Sequence, residues 1–223
     1  MSKLDTLNTP KLDEYLVVMP HHPDKYGDIR LTLRLWRKYC MFNYYFIVIG
    51  DYDKSLIKEF PWVHFIYCKR VMNSTSQYTP HLDMQNKYRI IYEKYKDKYK
   101  GFIRVMDDHY AIKPFSVEDI LTIHYHSDSF TGNKDNPVSY WNHDMWKTRC
   151  LLDKENLPCK NYSTHFPFYF EFEKIKELQN KYRLLSNSYC LESLYFNYFS
   201  HEKPVLDSSI RHCIHKKRRS IYV

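Results

Sequence analysis

The segment Gly101-Phe102-Ile103-Arg104-Val105-Met106-Asp107-Asp108-His109-Tyr110 constrains this chain more than any other. Phe102 to Met106 is short, β-branched and aromatic, and it follows a glycine, so it reads as a buried strand. The apolar run stops at two adjacent carboxylates and an imidazole. In an open α/β sheet, residues so placed stand at the carboxyl edge of a strand, where ligands bind. Adjacent carboxylates repel each other unless a cation or hydrogen-bond donors neutralise them. A hard divalent ion, Mg²⁺ or Mn²⁺, meets that need and commonly accompanies a phosphate-bearing substrate. The alternative is a strand end closed by an Asx-type turn, because aspartate also favours turns. Lys113-Pro114-Phe115 then turns the chain away from the strand.

Three further strands precede this one: Leu16 to Met19, ended by Pro20; Tyr45 to Ile49, closed by Gly50-Asp51; and Val63 to Tyr67. Asp28 is placed to cap a helix with Leu31, Leu35 and Trp36 on its apolar side and Arg30, Arg34 and Arg37 mainly outside. Ser55 to Glu59 reads as a short helix. The order β-α-β-α-β predicts a parallel sheet with helices on its faces. His21-His22-Pro23-Asp24 forms the loop at the end of the first strand, where the histidines either meet metal or phosphate or face solvent. Asp51, at the end of the second strand, either holds a nucleoside hydroxyl or caps its own turn. Val71 to Leu82 is polar and irregular, and Met84 to Tyr99 reads as a helix with Ile90, Ile91 and Tyr95 on its apolar stripe. Asn86, Lys87 and Arg89 lie near the start of that helix, a position that suits a diphosphate. The competing reading makes Lys87 and Arg89 a solvated face.

Beyond the acidic segment, Ser116 to Ile123 reads as a helix begun by Ser116, Glu118 and Asp119. Ser127 to Asn142 is polar and rich in turn signals. Asp144 is read as the cap of a helix through Lys154, and Thr164-His165-Phe166-Pro167 precedes an aromatic run. Phe172 to Leu184 is an amphipathic helix, and Asn187 to Phe196 opens the last one with Glu192 in or near its first turn. No repeat, low-complexity tract or long linker divides residues 1–223 into independent domains.

Composition narrows the function classes. A chain of 223 residues is long enough to bury a core. Only 4 glycines are present, with no G-x-G-x-x-G or Walker sequence, which argues against a glycine-rich phosphate loop. The formal charge of +8 is partly concentrated in the tail His215-Lys216-Lys217-Arg218-Arg219. Such a tail suits a polyanion, whether nucleic acid, an anionic membrane surface or acidic glycan, or serves only as a solubilising charge run. Six dispersed cysteines without a C-x-x-C pair lack zinc-site spacing and read as reduced thiols. Met1 to Asp13 lacks the apolar core of a signal peptide, and no apolar run approaches membrane-spanning length, so a cytoplasmic protein is expected.

This order of elements resembles the GT-A class of glycosyltransferases. The features that carry the resemblance are the strands at Leu16–Met19, Tyr45–Ile49, Val63–Tyr67 and Phe102–Met106, with Asp107-Asp108-His109 at the end of the last. Thr164-His165-Phe166-Pro167, the aromatic run and the helix after it are also similar to the bacterial capsular sugar-phosphate transferases called Stealth proteins, in which an acidic pair precedes a His-x-Pro segment. The GT-A resemblance implies a Rossmann-like, mostly parallel sheet, with residues 1–115 as the nucleotide-sugar-binding half and 116–223 as the acceptor-side half and tail. It implies transfer of a sugar from a nucleotide diphosphate sugar to a hydroxyl on a glycan or a modified nucleic-acid base. It also implies Mn²⁺ or Mg²⁺.

The usual motif of that class is Asp-x-Asp, and here its third position is His109. Either Asp107 and His109 take the two ligand places, or Asp108 binds the ion with His109 outside its shell. Imidazole suits Mn²⁺ and is a poor ligand for Mg²⁺. By the same resemblance His212 closes the metal site, and Asp51, Lys87, Arg89, Asp107 and His165 contact substrate. Glu192 is then the base that deprotonates the acceptor hydroxyl, or else a helix-dipole acid. Tyr140, Trp141 and Trp146 either stack on sugar or base or lie in the core. The Stealth likeness implies transfer of a sugar 1-phosphate instead. A third reading, from a different class, is a non-catalytic nucleic-acid-binding protein that uses the basic tail and the 22 tyrosines.

Overall fold

A computed structural model describes residues 14–22, 28–71, 80–128, 140–199, 204–206, 210–214 and 217–222, with Tyr140 and the last two stretches as backbone only. In chain order the elements are β1 (Tyr15–His21), α1 (Ile29–Tyr39), β2 (Tyr44–Gly50), α2 (Ser55–Glu59), β3 (Val63–Tyr67), α3 (Pro80–Tyr95), β4 (Gly101–Arg104), β5 (His109–Ala111), α4 (Val117–Leu121), β6 (His124–Tyr125), α5 (Tyr140–Lys154), β7 (Phe168–Glu171), α6 (Phe172–Tyr182), α7 (Leu191–Phe199), β8 (Val205–Leu206), β9 (Ile210–Ile214) and β10 (Lys217–Tyr222).

The central sheet has the order β3-β2-β1-β4-β7. Its first four strands are parallel, and β7 runs antiparallel against β4. The fold is therefore α/β, with a mixed, mostly parallel sheet flanked by helices. Alternation along each strand sorts side chains between two cores. Leu16, Val18, Ile47, Ile49 and Phe102 pack with α3, α5, α6 and α7. Val17, Met19, Phe46, Val48, Ile103 and Val105 pack on the opposite face with α1, α2 and α4. Burial on both faces is why these strands are unbroken apolar runs. β7 comes from the later half of the chain and completes the edge of the sheet beside β4.

Local sequence explains most of the helix geometry. Asp28 Oδ1 accepts the Leu31 N–H at 3.2 Å and caps α1. The buried stripe of α1 is Ile29, Thr32, Leu33 and Trp36, rather than Leu31, Leu35 and Trp36. Trp36 sets that rotation, because its ring meets Phe42, Tyr44, Phe46 and Phe115 edge-on at 5.0–6.2 Å. Ser116 and Asp119 form a capping box at α4: the Ser116 N–H donates to Asp119 Oδ2 at 2.7 Å, and the Asp119 N–H donates to Ser116 Oγ.

Several boundaries differ from the sequence reading, each for a physical reason. β1 runs through Pro20 to His21 instead of ending before Pro20. Val18 O accepts the Val105 N–H at 2.9 Å, so the backbone of Val18, and of Pro20 two residues on, faces β4. β4 pairs with β1 only at Val17 and Val18, so the missing Pro20 N–H removes no ladder bond. α3 starts at Pro80 rather than Met84, with proline at the first helical position, where no intrahelical N–H is needed. β4 is shorter than the Phe102–Met106 run; the chain turns at 107–108 and re-enters a sheet as β5. Asp144 does not cap α5 but lies within its first turns, buried.

The tail also acquires a place in the backbone. β10 contains Lys217, Arg218 and Arg219 and pairs in parallel with β5, so that Ser220 stands opposite His109. His212 lies in β9 opposite Arg219. The His212 side chain, the side chains of Lys217–Arg219, residues His215 and Lys216, the polar turn region 129–139 and Met1 to Asp13 lie outside the described residues. Among the described residues, no helix is long and apolar enough to cross a membrane. Cys40, Cys68, Cys150, Cys159 and Cys190 are free thiols.

Gly50 is the tightest backbone approach in the sheet. Its φ is +148°, and a Cβ there would stand 1.9 Å from the carbonyl oxygen of His21. Gly50→Ala is expected to lower stability by roughly 2–3 kcal/mol, read as a lower urea midpoint. An unchanged midpoint would contradict the close approach of β2 to His21.

Candidate functional site

Chain order reverses at β1. β2 and β3 extend the sheet to one side of it, and β4 follows on the other. In open α/β sheets such a reversal opens a crevice at the carboxyl ends of the two diverging strands. Here β1 ends in His21, and β4 leads into Asp107, Asp108 and His109.

The two aspartates point in different directions. Asp107 Oδ2 lies 2.7 Å from His21 Nδ1, and the Asp107 carbonyl accepts the Thr32 hydroxyl at 2.6 Å. Asp107 thus ties β4 to β1 and α1. Asp108 turns the other way, with Oδ2 3.6 Å from His165 Nδ1. Each carboxylate has its own imidazole neighbour, so adjacency alone does not require a shared cation.

Lys87 is buried rather than solvated or open to a ligand. Its ammonium donates to Asp83 Oδ2 at 2.7 Å and to the His21 carbonyl at 3.0 Å. The missing side chain of Gly50 leaves it room. A lysine 2% exposed is tolerable only with such a partner. Asp83 Oδ1 also accepts the Val71 N–H at 2.9 Å, which anchors the end of the strand-to-helix connection. Arg89 is half-buried and donates to Asn86 Oδ1, and Asp51 is exposed at the end of β2. Asp51, Lys87, Arg89 and Asp107 are not among the residues lining the cavity described next.

A cavity of about 450 Å³ opens beside the β4 end. That volume lies within the range of small-molecule sites. Arg104, Asp108 and His109 form one wall, Trp141 and Met145 of α5 a second, and Thr164, His165 and Glu192 a third. The segment bearing His165 is stitched to neighbouring elements by backbone groups. The His126 N–H donates to the Asn161 carbonyl at 2.7 Å, and the Tyr162 N–H to Ser193 Oγ of α7 at 3.0 Å. The Lys160 N–H reaches Asn197 Oδ1 at 3.0 Å. One helix therefore fixes both the His165 segment and Glu192. Of the expected stacking residues, Trp141 lines the cavity, Trp146 lies against His143, and the Tyr140 side chain is outside the described residues.

The ligand atoms of Asp108, His109 and His165 lie within 4.8 Å of one another. His109 Nδ1 accepts the Met106 N–H at 3.3 Å. Burial, with the positive charge of Arg104 behind it, pushes the His109 pKa well below the ordinary imidazole value. A neutral ring that accepts at Nδ1 carries its proton on Nε2. His109 is therefore a donor in this arrangement, and Asp108 and His165 are the better-placed ligands. One carboxylate and one imidazole suit Mn²⁺ better than Mg²⁺.

Arg104 is a cavity-lining residue that sequence reading passed over. It is 3% exposed, and its Nη2 lies 2.9 Å from Glu192 Oε1. The contact is an ion pair whose angle falls short of a hydrogen bond, so Nε and Nη2 find no hydrogen-bond acceptor among the described residues. The signal was available: Arg104 is the one charged residue within the apolar run from Phe102 to Met106. Burial opposes ionisation of Glu192, but the charge of Arg104, together with smaller contributions from its other neighbours and hydrogen bonds, holds the carboxyl below its usual range. Glu192 Oε2 lies 3.5 Å from the Cys190 thiol. Both oxygens of the expected base are thus engaged within the protein.

No protein-family model and no curated protein sequence matches this chain.

The Arg104–Glu192 pair gives a stability test. Arg104→Met alone strands a buried carboxylate and is expected to cost roughly 3–5 kcal/mol in denaturant unfolding. Arg104→Met combined with Glu192→Leu should recover most of that loss. A double variant no more stable than Arg104→Met would contradict the coupling.

Proposed function

We propose that this chain is a GT-A-like glycosyltransferase that moves a sugar from a nucleotide diphosphate sugar to an acceptor hydroxyl with the help of a divalent ion. The observation that carries the reading is a single cavity at the carboxyl edge of a parallel sheet, walled by Arg104, Asp108 and His165. A diphosphate needs cationic donors in a place where water is scarce. Arg104 offers a guanidinium whose planar fork matches phosphate oxygens. Glu192 holds that guanidinium at the wall and is assigned as a positioning residue. Asp108 and His165 would hold Mn²⁺, which, when bound, supplies the charge that neutralises the leaving diphosphate. Trp141 and Met145 give an apolar wall against which a sugar or base ring can lie. Asp107, locked to His21, keeps β1 and β4 in register and is given no contact with substrate.

Transfer of a sugar 1-phosphate is the second reading. The observation that favours it is His165, from the His-x-Pro segment, standing beside Asp108. The two readings differ in the product left on the nucleotide: a diphosphate for sugar transfer and a monophosphate for sugar-phosphate transfer.

A thermal-shift screen of nucleotide diphosphate sugars with and without Mn²⁺ tests the reading. One donor is expected to stabilise the protein only with the ion, by about 2.7 kcal/mol at a hundredfold excess over Kd. Asp108→Asn should abolish that response without changing the unliganded melting temperature by more than a degree or two. Stabilisation that is independent of Mn²⁺, or that survives in Asp108→Asn, would overturn the assignment of Asp108.

A further inference from the structure

A second group of ligating side chains lies deeper than the first. His81 of α3 and Cys190 and Glu192 at the start of α7 bring their ligand atoms within 4.8 Å of one another, and all three residues are buried. We propose that His81, Cys190 and Glu192 bind one zinc-class divalent transition-metal ion, with Asp144 of α5 orienting His81 for the task.

The histidine carries the case. His81 is fully buried, and its Nδ1 lies 2.9 Å from Asp144 Oδ2. A carboxylate acceptor fixes the proton of a neutral imidazole on Nδ1 and leaves the lone pair on Nε2. Among the described residues Nε2 has no hydrogen-bond partner. An unpartnered buried nitrogen is costly unless it has another use. With Nδ1 committed to Asp144, Nε2 is the atom left to face Cys190 and Glu192. A carboxylate behind a histidine is the outer-shell arrangement that orients metal-bound imidazoles.

The surroundings hold these groups in place. The His81 ring stacks on Trp141 with centroids 4.2 Å apart. Ser188 Oγ donates to the same Asp144 oxygen that His81 contacts. The Cys190 N–H donates to Thr148 Oγ1 of α5 at 2.8 Å, which sets the backbone from which the thiol projects. Cys190 Sγ and Glu192 Oε2 are 3.5 Å apart. Tetrahedral zinc with ordinary bond lengths separates its sulfur and oxygen or nitrogen ligands by about 3.5 Å. Two of the three ligands therefore stand at the right spacing, and a small movement of the third completes the set.

The donor set selects the ion. A sulfur, an imidazole nitrogen and a carboxylate oxygen suit Zn²⁺ or Co²⁺ and exclude Mg²⁺ and Ca²⁺ as good fits. On binding, the Cys190 S–H bond breaks, its electron pair passes to the metal, and the proton goes to solvent. Thiolate and carboxylate then balance the dication, while Arg104 and Asp144 compensate each other just outside. Glu192 also lines the cavity, so a fourth position facing it is open to water or a substrate oxygen. The inference shares Glu192 with the site of the proposed function, through its other carboxylate oxygen, but does not rest on the glycosyltransferase reading, because Asp108 and His165 take no part in it.

Cobalt is the probe. The full-length protein, stripped with chelator and titrated with Co²⁺, is expected to show one equivalent with visible d–d bands of a four-coordinate ion and a near-ultraviolet thiolate-to-cobalt band, any ion held at Asp108 and His165 contributing no thiolate band. Cys190→Ser should lose the thiolate band, and Asp144→Asn should weaken binding by about 10–100-fold. Asp108→Asn should leave the thiolate band and its affinity unchanged, which separates this site from the one in the proposed function. Absence of a thiolate band in the wild-type protein would overturn the proposal, as would its persistence in Cys190→Ser. Because the wild-type spectrum decides, a variant that misfolds does not shelter the proposal.

Discussion

β1 is hydrogen-bonded on both edges, and the placement of Asp107 and Asp108 follows from that. A strand paired on both sides must be apolar on both faces, which Leu16 to Met19 satisfies. One neighbour, β2, follows it directly, and the other, β4, comes to its far edge only after β3, so the connections diverge at its carboxyl end. That end carries His21, and the end of β4 delivers Asp107 to it at 2.7 Å. The contact fixes where the chain after β4 turns, and hence where Asp108 points.

Around that contact the protein concentrates buried charge. Asp83 with Lys87, Arg104 with Glu192 and His81 with Asp144 are three buried pairs clustered near the carboxyl edge of one sheet. None is an efficient way to stabilise a fold, because desolvation of paired charges roughly cancels their attraction. Lys87 has a clear structural task, bonding the carbonyl of His21 where β1 leaves the sheet. Arg104 and His81 retain donor or acceptor atoms that no described residue satisfies, and both border the same cavity region through Glu192. Functional sites are where such local costs are expected to persist.

Much of the scaffold was legible because local and tertiary signals agree. Ser55–Glu59, Val63–Tyr67, the Asp28 cap and the Ser116 capping box are encoded by neighbouring residues and required no knowledge of the fold. The acidic segment was found because an apolar strand ending in charge is unusual. What could not be read was direction. Whether Asp107 and Asp108 face together or apart depends on the turn geometry after β4 and on His21, 86 residues away. Lys87 was expected to meet a diphosphate or to lie on a solvated face, because its sequence neighbours are polar; its burial against Asp83 and the His21 carbonyl follows from α3 packing onto the carboxyl ends of β1 and β2. His81 and Asp144 were missed for the same reason, since one seemed to lie in an irregular loop and the other at a helix cap. Cysteine spacing gave no hint of the proposed zinc-class site because its three candidate ligands come from two distant segments.

The central claim is that the cavity beside the end of β4 is the ligand site and that Asp108, not Asp107, faces the ligand. Crystals grown with Mn²⁺ and a nucleoside diphosphate, with data collected at the manganese absorption edge, test it most directly. The account predicts an anomalous peak beside Asp108 and His165, with the diphosphate extending toward Arg104. A peak on Asp107 and His21, or a nucleotide bound away from this edge of the sheet, would contradict it.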